Sequence, residues 1–292
     1  MESTETKAPF VIDVEKVMKS RSKILSMMPR FVINYIKRIV HQDEINEKLS
    51  RYGHLQGLEF ISEVIKDFKV KIKLIGLENL PESGRFIFFA NHPLGGFDGM
   101  VILNILGEKY IDVKTVSNDL LMNFTNLHPI FIGVNLHGLS SKEAVLRVNE
   151  SFNSNTQIMI FPAGLVSRRE NGVVRDADWK KTFLTRAIKH QRDLIPIHVE
   201  GRVSNFFYNL ASIRKFFGIK TNFEMFFLSD ETFKYENGSL TIRFGKPLSY
   251  KIFDKRQSTD QWVNLLKEHV YIIGEKDYNA AFPYTEQSDV AK

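Results

Sequence analysis

The sequence predicts an α/β domain with a mostly parallel mixed sheet flanked by helices, preceded by an amphipathic helical extension. Two observations predict this fold class. Short apolar runs alternate along the chain with segments of helical periodicity, the order typical of a largely parallel sheet. A chain of 292 residues, 43% of them hydrophobic, can also bury a full core. Because no internal repeat or low-complexity linker divides it, we expect one main domain over 69–250, after a helical segment over 1–68 and before a helix and tail over 251–292.

The N-terminal segment is predicted to be helical and basic. Between Glu15 and Val40 the chain carries seven Lys or Arg residues against the single acid Glu15. Beyond Pro29, apolar residues recur at helical spacing: Val32, Tyr35, Ile36, Ile39 and Val40. Two interpretations stay open, namely a helix lying in the lipid headgroup layer and a helix packed on the domain's own core.

The remaining elements follow from apolar periodicity and turn residues. We expect helices over 43–68, 98–106, 140–153, 179–190 and 259–273. We expect strands over 70–75, 85–90, 113–116, 157–161, 194–199, 222–227 and 240–244. The residues from about 276 onward are predicted to form a loose tail.

Composition excludes several kinds of chemistry. With no cysteine, the chain has no disulfide, no thiol nucleophile and no cysteine-bound zinc. The net charge of +6 favours anionic partners such as lipid headgroups, nucleic acid or an acidic carrier protein. No nucleic-acid module, phosphate-binding loop or dinucleotide fingerprint is present, and no apolar run has the roughly 18 residues of a spanning helix. We therefore expect no metal, no cofactor, no nucleic acid, and a cytoplasmic protein on a membrane surface.

The segment from Asn91 to Asp98 carries the chemistry. The apolar run 86–90 ends directly at His92, so a parallel strand delivers an imidazole to the edge of the sheet where such folds place their ligands. Gly95 and Gly96 permit a tight turn, which brings Asp98 back towards the histidine. An imidazole paired with a carboxylate can accept a proton from an alcohol or amine. The alternative is a helix-capping aspartate beside an unrelated histidine.

Four motifs, in order, resemble the glycerolipid acyltransferases of the lysophosphatidate type. The first is Ala90-Asn91-His92-Pro93 with Asp98, and the third-signature turn is Phe161-Pro162-Ala163-Gly164. A late strand, Leu194-Ile195-Pro196-Ile197, and the closing Phe244-Gly245-Lys246-Pro247-Leu248 follow. The resemblance covers about 72–248. It implies that His92 is the general base and that Asp98 orients it, with an acyl carrier protein or coenzyme A thioester as co-substrate.

The resemblance also implies a substrate-binding set: Asn91, Gly95, Gly96, Phe161, Pro162, Gly164, Arg168, Arg169 and Lys180. Lys180 would attract the phosphates of the donor, against the alternative of a solvated face. The chain departs from the family at four points. Five residues separate His92 from Asp98 instead of four, and Ala163 replaces a glutamate. Val166 stands where the third signature has an arginine, and the stretch 129–134 lacks the arginine of the second signature.

Without those two arginines, which would bind the acceptor phosphate, the acceptor is expected to be something other than a glycerophosphate. The motif Asn-His-Pro-Leu-Gly-Gly-Phe-Asp-Gly resembles that of a bacterial subgroup that O-acylates lyso-aminolipids. Such an acceptor carries a carboxylate, which Arg168 or Arg169 would bind. Lysophosphatidate acylation, a catalytically inactive lipid-binding module and a thioester hydrolase are the alternatives. An aromatic stretch over 206–217 would line the acyl tunnel, enter the bilayer or pack in the core.

Overall fold

A computed structural model describes residues 11–21, 28–116, 121–132, 141–219, 222–275 and 277–286. Its main sheet has six strands in the order β1-β8-β7-β2-β4-β3: β1 (Lys71–Ile75), β2 (Phe86–Ala90), β3 (Val113–Thr115), β4 (Gln157–Ile160), β7 (Asp193–Glu200) and β8 (Ser239–Phe244). All neighbours are parallel except β7 and β8. A separate antiparallel hairpin contains β5 (Arg168–Glu170) and β6 (Val173–Arg175). The predicted fold class, a mostly parallel mixed sheet, is confirmed.

Helices cover both faces of this sheet. In chain order they are α1 (Val14–Arg21), α2 (Arg30–Ile39), α3 (Gln42–Tyr52), α4 (Gly57–Phe68), α5 (Gly96–Lys109), α6 (Ser141–Asn153), α7 (Thr182–His190), α8 (Asn205–Phe216), α9 (Leu228–Phe233) and α10 (Thr259–Glu275). Within the described residues, none of them is both long enough and apolar enough to cross a bilayer.

The central strand β2 shows why an uninterrupted apolar run is needed here. All five of its residues are buried, and alternate side chains enter opposite layers. Phe88 and Ala90 pack in the layer that holds α4 and α5. Ile87 and Phe89 pack in the layer that holds α7 and α10. Because burying each of these phenylalanine side chains contributes roughly 2–3 kcal/mol, the strand that leads to His92 is firmly anchored.

A buried arginine fixes the opposite end of the same strands. Arg192, immediately before β7, is fully buried, and burial lowers its pKa to about 10. No carboxylate partners it within the described residues; instead its guanidinium donates to five backbone carbonyls, those of Phe86, Ser151, Phe152, Ser154 and Thr156. These bonds connect the start of β2 to the loop between α6 and β4.

Three expectations about secondary structure are wrong. The run predicted as a strand over 222–227 forms a 3₁₀ helix, Phe223–Phe227, outside the sheet. The helix predicted over 43–68 is two helices, because Gly57 takes a left-handed φ of 57° at the start of α4. The tail is also not loose over its described part, since Phe282 is buried and packs against Trp262 of α10. Residues 22–27 and 133–134, parts of the predicted helical extension and of the second signature, lie outside the described residues.

Candidate active site

The end of β2 is joined to β7 by a buried asparagine. The Asn91 amide donates to the Val199 carbonyl at 2.9 Å and accepts from the Val199 N–H at 2.7 Å. These two bonds continue the ladder between the parallel strands one step beyond Ala90. The side chain is 3% exposed. We infer that Asn91 holds the strand ends together, which differs from the substrate contact that the resemblance implied.

His92 and Asp98 meet as the sequence predicted. The His92 Nδ1 and Asp98 Oδ1 atoms lie 2.9 Å apart, and the carboxylate is fully buried. The other carboxylate oxygen accepts the Leu94 N–H at 2.9 Å. No described residue bonds to His92 Nε2, and the histidine side chain is 17% exposed. Nδ1 of His92 therefore faces a buried carboxylate, whereas Nε2 has no hydrogen-bond partner among the described residues.

The extra residue between the two is absorbed by the turn. Gly95 has a φ of 76° and a ψ of −129°, a combination that non-glycine residues rarely adopt. Phe97, at the family's aspartate position, instead enters the core, where its ring packs against Phe68 and Tyr235. Asp98, in the first turn of α5, is the residue whose carboxylate contacts His92. The departure in spacing thus leaves the acid–base pair intact.

A second carboxylate holds the backbone of His92. Asp176 accepts the His92 N–H at 3.1 Å, the Ser167 hydroxyl at 2.6 Å and the Trp179 indole N–H at 2.9 Å. The His92 carbonyl in turn accepts the Ser167 N–H at 2.8 Å. Burial raises the pKa of Asp176. The sequence prediction missed Asp176 and Ser167 as site residues, because no local pattern relates positions 84 residues apart.

Phe161 lies over the His92 ring. Its ring stacks on the His92 imidazole with centroids 3.9 Å apart and planes 25° apart. A methyl group added at Gly99 of α5 would come within 3.4 Å of the same ring. A methyl group at Gly96 would meet nothing within 4 Å. There is therefore open space at the N-terminus of α5, where no side chain caps the free backbone N–H groups.

The Phe-Pro-Ala-Gly turn is held by the residue expected to contact the donor. The Lys180 N–H donates to the Pro162 carbonyl at 3.0 Å, and Pro162 itself is buried. Gly164 has a φ of 66°, and a methyl group there would come within 3.3 Å of Lys180 Nζ. Lys180 is exposed, and no described acidic residue pairs with it. Its ammonium is thus an available positive charge above this turn.

The two candidate arginines differ in their surroundings. Arg168 donates to the Val166 carbonyl at 2.8 Å and lies 3.4 Å from the fully buried Glu224. Glu224 also pairs with Arg214 Nε at 2.8 Å, and burial lowers the pKa of Arg168. Arg168 is therefore tied into an internal ion cluster. Arg169 is half-buried and bonds only to the neutral Asn209 among the described residues, so it retains an uncompensated charge.

Comparison with known proteins shows the family of this chain. A family profile described as Acyltransferase matches residues 16–280. The chain belongs to this acyltransferase family. It is 43% identical over 264 residues to a protein named lyso-glycine lipid O-acyltransferase from Bacteroides thetaiotaomicron, a match that covers 90% of this chain and 97% of the relative. A protein of the same name from Phocaeicola vulgatus is 44% identical over 264 residues, with 90% of this chain and 95% of the relative covered.

Among solved structures, the acyltransferase resembles the 1-acyl-sn-glycerophosphate acyltransferase of Thermotoga maritima. The TM-score is 0.43 at 16% identity, over 84% of this chain and 94% of that one. The family resemblance that the motifs indicated, including the lyso-aminolipid subgroup, is confirmed by the relatives. The protein is an acyltransferase.

Proposed function

We propose that the protein transfers a fatty acyl group from an acyl thioester to the hydroxyl of a lyso-glycine lipid. The main support for the acceptor is the identity of 43% and 44% to the two lyso-glycine lipid O-acyltransferases across nearly their whole length. The main support for the chemistry is the His92–Asp98 pair at 2.9 Å. It supplies what O-acylation requires, namely a base for a hydroxyl proton.

In the proposed reaction, His92 Nε2 takes the proton of the acceptor hydroxyl as its oxygen attacks the thioester carbonyl. The C–O bond forms, the C–S bond breaks, and the departing sulfur receives the proton from the imidazolium. Asp98 keeps the other ring proton on Nδ1 and stabilises the imidazolium. Assistance of this kind contributes roughly 100- to 10,000-fold to the rate. No acyl-enzyme is required, so the absence of cysteine is compatible with the mechanism.

The negative charge that develops on the thioester oxygen needs hydrogen-bond donors. The N–H groups in the first turn of α5 are the donors we assign, because no side chain caps this helix and a methyl group at Gly96 would meet nothing within 4 Å. The N-terminal end of a helix also carries a partial positive charge. Fixed donors of this kind contribute about 3–4 kcal/mol each to catalysis in acyl-transfer sites.

Two cations are assigned to the substrates. Arg169 is proposed to meet the glycine carboxylate of the acceptor, since Arg168 already pairs with Glu224. Lys180 is proposed to attract the phosphates of an acyl carrier protein or coenzyme A donor, because it is exposed and without an acidic partner among the described residues. The enzyme is proposed to work at the cytoplasmic face of the membrane as a peripheral protein, with the basic N-terminal helices beside the bilayer.

An acylation assay with the purified protein in detergent micelles tests this function. Lyso-glycine lipid and lysophosphatidate are offered separately, with acyl carrier protein and coenzyme A thioesters, and products are identified by mass spectrometry. We expect diacylated glycine lipid as the main product. Preferential formation of phosphatidate would contradict the acceptor. Thiol release without added acceptor would indicate a hydrolase, and no turnover of any kind would favour a lipid-binding module.

A further inference from the structure

Helix α8 and the residue that follows it, Phe217, expose several large apolar side chains. Phe216 and Phe217 are 85% and 69% exposed, and Ile213 and Phe206 are 54% and 51% exposed. The rings of Phe216 and Phe217 contact each other edge to face, with centroids 5.2 Å apart. Soluble proteins rarely leave several large apolar groups together in water, and such a patch usually marks a binding surface.

This patch lies at the end of the sheet where β2 and β7 finish, as does the catalytic pair. β7 runs parallel to β2, with Ile197 opposite Ala90, and α8 begins five residues after β7 ends. From α8 an apolar path leads back to the site. Phe206 contacts the ring of Phe227 at 5.0 Å, and the next residue, Leu228, lies where a methyl group on Gly95 would touch it at 3.3 Å.

Helix α2 extends the exposed surface. Both α2 and α8 contact the 3₁₀ helix Phe223–Phe227, so this short helix connects the two. On α2, Phe31 is 74% exposed and Tyr35, one turn later, is 53% exposed. We define the aromatic edge as the exposed apolar residues of these two helices and of the residue after α8: Phe31, Tyr35, Phe206, Ile213, Phe216 and Phe217.

Uncompensated positive charge accompanies the aromatic edge. Arg30 and Arg38 are exposed on α2, and Arg202 is exposed just before α8. Within the described parts of the chain, none of the three pairs with a carboxylate. Aromatic rings beside exposed arginines are the composition of a surface that enters the headgroup layer of an anionic bilayer. A second protein copy would carry the same positive charge and repel it.

We propose that the aromatic edge docks the enzyme on an anionic phospholipid bilayer, with the Phe216–Phe217 pair inserted among the lipids. Docking there places the Gly95 turn beside the membrane, so that a lyso-lipid reaches His92 along Phe206, Phe227 and Leu228 without crossing water. The proposal deepens the proposed function and rests on it, because it explains how a lipid acceptor enters.

The test uses vesicles of phosphatidylcholine with phosphatidylglycerol and the full-length protein. Phe216→Ser combined with Phe217→Ser is expected to weaken vesicle binding by on the order of 10- to 100-fold, because two inserted rings are lost. Ile111→Ser is the matched control. Ile111 is fully exposed. It precedes β3 and so lies at the amino-terminal end of the parallel strands, away from the aromatic edge, and its replacement should leave vesicle binding unchanged.

Activity measurements separate this proposal from the proposed function. In detergent micelles the double variant should acylate lyso-glycine lipid at the wild-type rate, whereas on vesicles its rate should fall with its binding. Wild-type vesicle binding by the double variant would overturn the docking surface. If analytical ultracentrifugation showed a dimer for the wild type and a monomer for the double variant, the aromatic edge would be a contact between copies. That result would also overturn the docking proposal. Absence of transfer by the wild type in micelles would instead refute the proposed function.

Discussion

Replacing Asp98 by asparagine should leave the site folded but remove its base. One oxygen of the carboxylate faces His92 Nδ1 at 2.9 Å and the other accepts the Leu94 N–H at 2.9 Å. An asparagine that keeps the bond to Leu94 turns its NH₂ group towards Nδ1. Nδ1 must then be the ring's acceptor, so the proton moves to Nε2, which can no longer take one from the acceptor hydroxyl. In the opposite amide orientation, the NH₂ group would face the Leu94 N–H, donor against donor. That orientation is disfavoured by about 1–3 kcal/mol.

The expected result for Asp98→Asn is a kcat lower by roughly 100- to 10,000-fold, the usual size of general-base assistance, with little change in KM. The assay is acyl transfer to lyso-glycine lipid in detergent, followed by mass spectrometry, with circular dichroism as a control for folding. Asp178→Asn is a matched substitution at an exposed carboxylate. A folded Asp98→Asn protein with a kcat within threefold of wild type would refute the assigned tautomer.

Three further predictions concern buried groups. Asp176→Asn should lower kcat and cost about 1–3 kcal/mol of unfolding free energy, because three donors converge on that carboxylate. Adding Trp179→Phe to Asp176→Asn removes one of the three donors and should recover part of kcat. No recovery would contradict the role of Asp176 in holding the His92 backbone. Glu224→Gln should cost about 3 kcal/mol in urea unfolding, since two arginines lose their partner, and an unchanged midpoint would contradict this. The pKa of buried His269 is lowered to about 4, so the unfolded state takes up its proton first as pH falls below about 6.5. Because of this histidine, the free energy of unfolding should drop by about 2 kcal/mol between pH 7 and pH 5. His269→Leu should reduce that drop, and an equal drop in the variant would refute the prediction.

Local sequence patterns predicted the part of the site that is close in the chain. The apolar run of β2 ends at His92, and Asp98 follows on the next helix, so one strand, one glycine turn and one helix start determine their contact. Gly95 had to absorb one extra residue, and its left-handed φ of 76° does so. The resemblance to acyltransferases then indicated the reaction.

The long-range contacts in and around the site could not be predicted in this way. Asp176 reaches its N–H across 84 residues, and Glu224 reaches Arg168 across 56. Both carboxylates lie in segments whose composition is that of a surface loop or a short apolar run. The run 222–227 illustrates the same limit, because its four apolar residues suit a strand or a 3₁₀ helix equally well. Only the packed chain distinguishes these outcomes.

The lipids of a bacterial strain from which the gene has been deleted test the central claim most directly. Mass spectrometry of the membrane lipids should show loss of diacylated glycine lipid and accumulation of its lyso form. Wild-type protein should restore the diacylated lipid, whereas a stably produced His92→Ala protein should not. Restoration by His92→Ala would contradict the assignment of the base. Loss of phosphatidate with the glycine lipids unchanged would contradict the proposed acceptor.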